Sequence, residues 1–235
     1  MVGILAIETS TEACSVAVSV GTASRLRFEH APRQHNQLVF AMLRDLLPDG
    51  NLNAHGIDLV AYASGPGSFT GLRIAASAAQ GLAYSNSLPV VPVSTLSVLA
   101  QGALREGRVA AEDRVLCSID AHIGEIYSAV YVFVDGLASL DQGPWVCAPS
   151  ALSVKGDQPL KLIESGGPFY SEFPAVLKTR IVSRADELLP VAADVLPLAH
   201  ARYAMGEIQS PLDVQPVYVR DEISWKKLPD QGKRK

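Results

Sequence analysis

Residues 63–73, Ala63-Ser64-Gly65-Pro66-Gly67-Ser68-Phe69-Thr70-Gly71-Leu72-Arg73, restrict the possible folds of this chain more than any other stretch. They follow an apolar run, Leu59-Val60-Ala61-Tyr62, and lead into small residues from Ile74 to Tyr84. The pattern is a strand, a glycine-rich turn and a helix start. Gly65 and Gly67 can take positive φ or admit a close backbone, Pro66 fixes a φ between them, and Ser68 or Thr70 can cap the first free N–H groups. Two uses fit: a tight structural turn, or an anion cradle at a helix N-terminus. A P-loop is excluded, because GxxxxGK[ST] needs a Lys where Leu72 and Arg73 follow Gly71.

The 235 residues suffice for two modest domains, and an apolar share of 48% promises a sizeable core. A net charge of −4 argues against a surface that is one nucleic-acid footprint. Cys14, Cys117 and Cys147 form no CxxC and sit among apolar or small residues, as buried reduced thiols do, which fits a cytoplasmic setting. No signal peptide or membrane span is expected.

In chain order, Ile4-Leu5-Ala6-Ile7 is a buried strand, Glu8 to Glu12 a polar turn, and Cys14 to Val20 an alternating strand; Arg25 to Glu29 completes a meander. A helix is expected from Asn36 to Leu47. Its wheel carries Leu38, Val39, Phe40, Met42, Leu43, Leu46 and Leu47 over roughly half the circumference, wider than the stripe of about 100° that faces one core. The next helix, Leu72 to Tyr84, offers Ala75, Ala76, Ala78, Ala79 and Gly81 for close approach, with Ile74 and Leu82 as apolar contacts. These helices either lie inside one large core or present a subunit interface. A further strand at Pro89–Val93 and a helix at Thr95–Arg105 close the first half.

The layout then recurs: Val115 to Ala121, then Ile126 to Tyr131, with Ile7-Glu8 falling on Ile119-Asp120 and Ala17-Val18 on Ala129-Val130. Two related lobes of βββαβα type follow, at 1–107 and 108–235. Short apolar runs such as Leu160 to Ile163 mark the second, with a helix over Pro190–Gly206 that Pro197 should kink or split. Val217 to Arg220 reads as a last extended segment. The tail with Trp225, Lys226, Lys227 and Lys233-Arg234-Lys235 is expected to be mobile, a solvated end or an RNA contact by stacking and charge.

Glu8, with Ser10 and Thr11 behind it, resembles the first phosphate loop of actin-like, sugar-kinase and Hsp70-type ATPases, which usually carry Asp there; Glu shifts any metal geometry by a methylene. Glu8, Ser10, Thr11, Gly65, Gly67 and Ser68 are therefore the candidate nucleotide residues, the alternative for Glu8 being a structural acid at a hairpin tip. His30, His35, His55, His122 and His200 make no i, i+4 pair, and no GxSxG positions a serine.

Residues 4–18, Arg33 and His35, Gly65 to Ile74, Gln80 to Ala83, Val93 to Leu96, Ile119 to Ala121 with Gly124 to Tyr127, and Pro216 to Arg220 together resemble the bacterial TsaB (YeaZ) family over nearly the whole chain. The resemblance implies an α/β, actin-like ATPase (ASKHA) fold and a non-catalytic subunit that binds and activates TsaD. TsaD transfers threonylcarbamoyl to adenosine 37 of tRNA, and the small ATPase TsaE joins the pair. TsaD holds its metal with a Val-Asn-His-x-x-x-His segment; the matching stretch here, Val93 to Leu99, has Thr95 and Leu99 at the ligand positions. No metal and no intrinsic cofactor are implied, ATP or ADP entering only in the complex, and tRNA is met indirectly through it.

Family members pair through the first two helices, as homodimers alone and as heterodimers with TsaD. The implied interface is His35, Leu38, Val39, Met42, Leu43, Leu46, Leu72, Ile74, Ala75 and Ala78, and Leu38→Asp or Met42→Asp is expected to abolish TsaD binding without unfolding the chain. The rival expectation is an autonomous enzyme, an ATPase or a protease. On balance the glycine turn is expected to aim its helix at a partner.

Overall fold

The structure is a computed structural model that describes residues 2–30 and 32–219. Two five-stranded mixed sheets form it. The first contains β1 (Ile4–Glu8), β2 (Ala13–Val20), β3 (Ala23–His30), β4 (Leu59–Gly65) and β5 (Val90–Ser94), in the spatial order β3-β2-β1-β4-β5. The second contains β6 (Val115–His122), β7 (Glu125–Val134), β8 (Leu137–Cys147), β9 (Leu160–Ser165) and β10 (Ile181–Ala185), in the order β10-β9-β6-β7-β8. In each, three antiparallel strands lead and two parallel ones follow, so the second sheet repeats the topology of the first. The recurrence seen in the sequence is thus a duplicated fold, the α/β actin-like ATPase fold; the first lobe extends the expected βββαβα run by one further strand and helix, and the second by one further strand.

The copies differ in what lies between their strands. The first half inserts α1 (His35–Leu46) and α2 (Phe69–Asn86); the second inserts only short turns and the four-residue α4 (Ala175–Lys178). α3 (Thr95–Arg105) follows β5, and α5 (Ala192–Ala204) follows β10. Pro197 does not split α5. Its missing N–H leaves only the Ala193 carbonyl, in the first turn, without a helical donor. No strand forms over 217–219: the Val217 N–H donates to Ser64 O at 2.7 Å and the Tyr62 hydroxyl to Gln215 O at 2.9 Å. Arg220 and the basic tail lie outside the described residues.

Period-two alternation in β1 directs Leu5 and Ile7 toward α1 and α2, and Ile4 and Ala6 toward Ala192, Val195 and Ala199 of α5. α3 crosses the other way, packing Leu96, Leu99 and Ala103 on Cys117, Ile119 and Tyr131 of the second sheet. Each lobe therefore lends a helix to the other. Among the described residues no helix is long and apolar enough to cross a membrane. Cys14, Cys117 and Cys147 are free, the first two buried.

Candidate functional site

The glycine turn is packed against the chain itself. Ser68 caps α2, its hydroxyl accepting from the Gly71 N–H at 3.4 Å, and its own N–H donates to Ser10 O at 2.7 Å. The Thr9 hydroxyl donates to Gly71 O at 2.8 Å. A Cβ on Gly67 would lie 2.4 Å from Ser10 O, and one on Gly71 1.9 Å from Thr9 O. Close approach therefore demands these two glycines. Gly65, at φ 126°, faces the Val217 carbonyl, 2.6 Å from where its Cβ would stand. The Ser68 N–H, one of the donors that would cradle a phosphate here, is thus engaged by Ser10.

Glu8 is fully buried. Its Oε1 accepts the Ser10 N–H at 2.5 Å, while Oε2 has no hydrogen-bond partner among the described residues. Burial pushes its carboxyl up to about 7, against the pull of the Ser10 bond. The Ser10 hydroxyl is also buried and unpartnered.

Between the lobes lies a cleft of about 1190 Å³. Ser10, Thr11 and Ser68 line it from the first lobe, but Glu8, Gly65 and Gly67 do not. The facing wall, Asp120, His122, Ser165 to Pro168, Asp186 and Glu187, was not among the expected site residues. Two signals mark it in the sequence: the register of Glu8 with Asp120, and Gly166-Gly167 two residues after the run Leu160 to Ile163. Glu12, Asp120, Asp186 and Glu187 face the cleft with Arg33, so the wall repels an unaccompanied polyphosphate. His30 reaches Glu12 at 3.2 Å and His122 reaches Asp120 at 3.0 Å. Among the described residues no three His, Cys, Asp or Glu side chains are grouped to hold a metal. Thr95 and Leu99, at the positions of the implied metal ligands, are both fully buried on α3, and Leu99 belongs to the core against the second sheet.

The helix face differs from the expected set. Val39, Met42, Leu43, Leu46, Ala75 and Ala78 are buried in the core between α1, α2 and the first sheet. Leu72 is buried too, and His35 is held inside by a 3.1 Å contact of its Nε2 with Ala13 O. Only Leu38 and Ile74 of the ten are part-exposed. The broad apolar arc of α1 is consumed by the sheet below and α2 beside it, which is why it exceeded a single stripe. Solvent instead meets Phe40, 51% exposed, and Tyr84, 66% exposed, with Arg73, Ser77 and Gly81 along α2. Phe40, Leu43, Leu47 and Leu82 line a shallow hollow of about 480 Å³ between the helices. Phe40 stood on the expected wheel and Tyr84 at its helix end, but spacing alone does not reveal which apolar residues stay outside.

Comparison with known proteins adds independent findings. A family profile described as TsaD, tRNA N6-adenosine threonylcarbamoyltransferase, matches residues 29–201. The chain is 39% identical to the tRNA threonylcarbamoyladenosine biosynthesis protein TsaB of Escherichia coli, covering 96% of this chain and 98% of that protein. It is 33% identical to TsaB of Haemophilus influenzae, over 96% and 97%. The solved structure of YeaZ from Pseudomonas aeruginosa, 36% identical, superposes with a TM-score of 0.83 over 93% of this chain and 100% of that one. Sequence and fold agree from β1 to the end of the second lobe, and the chain belongs to the TsaB (YeaZ) family.

Proposed function

We propose that this protein is the accessory subunit of tRNA threonylcarbamoyladenosine formation, binding TsaD through α1 and α2 and activating it without catalysing the transfer. The observation that carries the reading is the end-to-end match to TsaB proteins named for that biosynthesis. Three features support the finer points. Phe40, Leu82 and the exposed flank of α2 give a partner helix a hollow with small residues beside it. Thr95 and Leu99 supply no transition-metal ligand and are turned into the core. The glycine turn spends its Ser68 donor internally, which supports nucleotide entering only in the complex; on this reading tRNA is met through TsaD, and TsaE joins the pair. Paired alone, the chain uses the same helix face.

Reconstitution tests this. With TsaD, TsaE, the adenylate-forming enzyme, ATP, threonine, bicarbonate and tRNA, modification is expected to require this chain and to fail when it replaces TsaD. Equal modification without the chain, or turnover by the chain alone, overturns the reading.

A further inference from the structure

Three of the four outer strands are blunted against edge-to-edge pairing. β5 carries Pro92, and Gln209 bridges Val90 through bonds of 3.0 and 2.8 Å. β8 shifts register twice against β7 and contains Gly143-Pro144. β10 shifts register between Ile181 and Ser183. β3, the counterpart of β8 in the first lobe, has none of these devices. Its pairing with β2 is unbroken from Ala13↔His30 to Val20↔Ala23, it holds no proline, and all eight of its residues are exposed. A long regular edge of this kind is a template for another strand.

Its side chains sort by face. Arg27 stands beside Val16, which packs toward α1, and binds Asp45 of that helix; Arg25 and Glu29 share this face. Leu26, 39% exposed, and Phe28, 45% exposed, alternate onto the face of Ala17, toward α5.

We propose that β3 pairs antiparallel with β3 of a second copy of this chain, about a two-fold axis through Arg27, making one ten-stranded sheet. In that register Arg25 stands opposite the partner's Glu29 and Glu29 opposite the partner's Arg25. Leu26 meets the partner's Phe28 on the other face. The two Arg27 side chains meet at the axis, each already bound to the Asp45 of its own chain. Centring on Leu26 instead sets Arg25 against Arg27; centring on Phe28 keeps an Arg27–Glu29 pair but sets Leu26 against His30, so the matched apolar pairs select Arg27. The edge is separate from the α1–α2 hollow, so the pairing goes beyond the proposed role and leaves the TsaD face open.

Sedimentation velocity of the full chain across micromolar concentrations at low salt tests this. Measurements use a Phe40→Asp background, which removes association through the helix face. A dimer is expected that Arg25→Glu weakens about tenfold, by setting two acids opposite one another at both ends. Glu29→Arg should weaken it alike, and the double exchange Arg25→Glu, Glu29→Arg should restore it. Amide exchange of residues 23–30 should also slow as concentration rises, which reads the pairing even in a variant of altered stability. A monomer at all concentrations, a dimer indifferent to Arg25→Glu, or a double exchange that fails to restore association with β3 amides unprotected overturns the proposal.

Discussion

Glu8 shows how much a single buried group can impose. Its carboxyl titrates at about 7 in the folded chain and at 4.5 in an ordinary setting, because burial disfavours the charge. Below the lower value it is neutral in both states and costs nothing. As pH rises between the two values the unfolded chain ionises first, so stability is lost until both states are charged above 7. That loss is on the order of 3 kcal/mol. Glu8→Gln is therefore expected to flatten the fall in melting temperature between pH 5 and pH 8; an unchanged slope would exclude Glu8 as its source. The glycines make a paired case. Gly71→Ala drives a Cβ into the Thr9 carbonyl and is expected to cost about 3 kcal/mol. Gly81→Ala, with nothing within 4 Å, should gain about 1 kcal/mol of helix stability. Thermal melts of the two variants should move in opposite directions. The need for glycine in this turn was legible from its sequence, whereas which carbonyl each glycine admits depends on the β1–β2 turn packed over it.

At the scale of elements, α1 corrects an expectation about mutation. Met42 is 7% exposed and packs in the core under α1, so Met42→Asp places a charge among apolar side chains. It is expected to cost at least about 3 kcal/mol and to lose partner binding through unfolding. Phe40→Asp should leave the melt within about 1 kcal/mol of the parent and still abolish co-elution with TsaD in size-exclusion chromatography. Co-elution of the folded variant would remove α1 from the interface. The 3.6-residue spacing gave α1 within a residue at each end and α3 at its bounds. α2 runs further than expected, from Phe69 to Asn86, because Ser68 caps it and Ser87, at φ 55°, ends it. β8 and β10 were not read: Gly143-Pro144 interrupts the alternation of one, and the other is a short, largely exposed edge held by backbone bonds.

In the whole molecule, the two lobes are fastened where their exchanged helices cross. Arg105 of α3 reaches both carboxylate oxygens of Asp194 of α5, at 2.7 and 3.1 Å. Burial pushes the Asp194 carboxyl up and the guanidinium draws it back, while the Arg105 side chain remains about half exposed. Arg105→Met leaves that carboxylate unpaired and is expected to destabilise by about 2–3 kcal/mol, less than a fully buried pair would lose. The loss should be larger at pH 8 than at pH 5, since protonation relieves the bare charge, and Asp194→Asn in the same chain should recover part of it. Equal destabilisation at both pH values would mean that packing, and not the charge, is what Arg105 supplies.

The sequence by itself determined the strands and helices of the first lobe, the duplication, the glycine turn and the family, because spacing, backbone sterics and motif order are local properties of the chain. Only the tertiary structure decided that the apolar arc of α1 is spent on its own sheet, that Glu8 is sealed behind the cleft, and that Asp120, Asp186 and Glu187 form the facing wall. Those outcomes depend on which distant segments meet. A helix wheel records that a residue is apolar, but burial is settled by the sheet, the neighbouring helix and the second lobe that close over it.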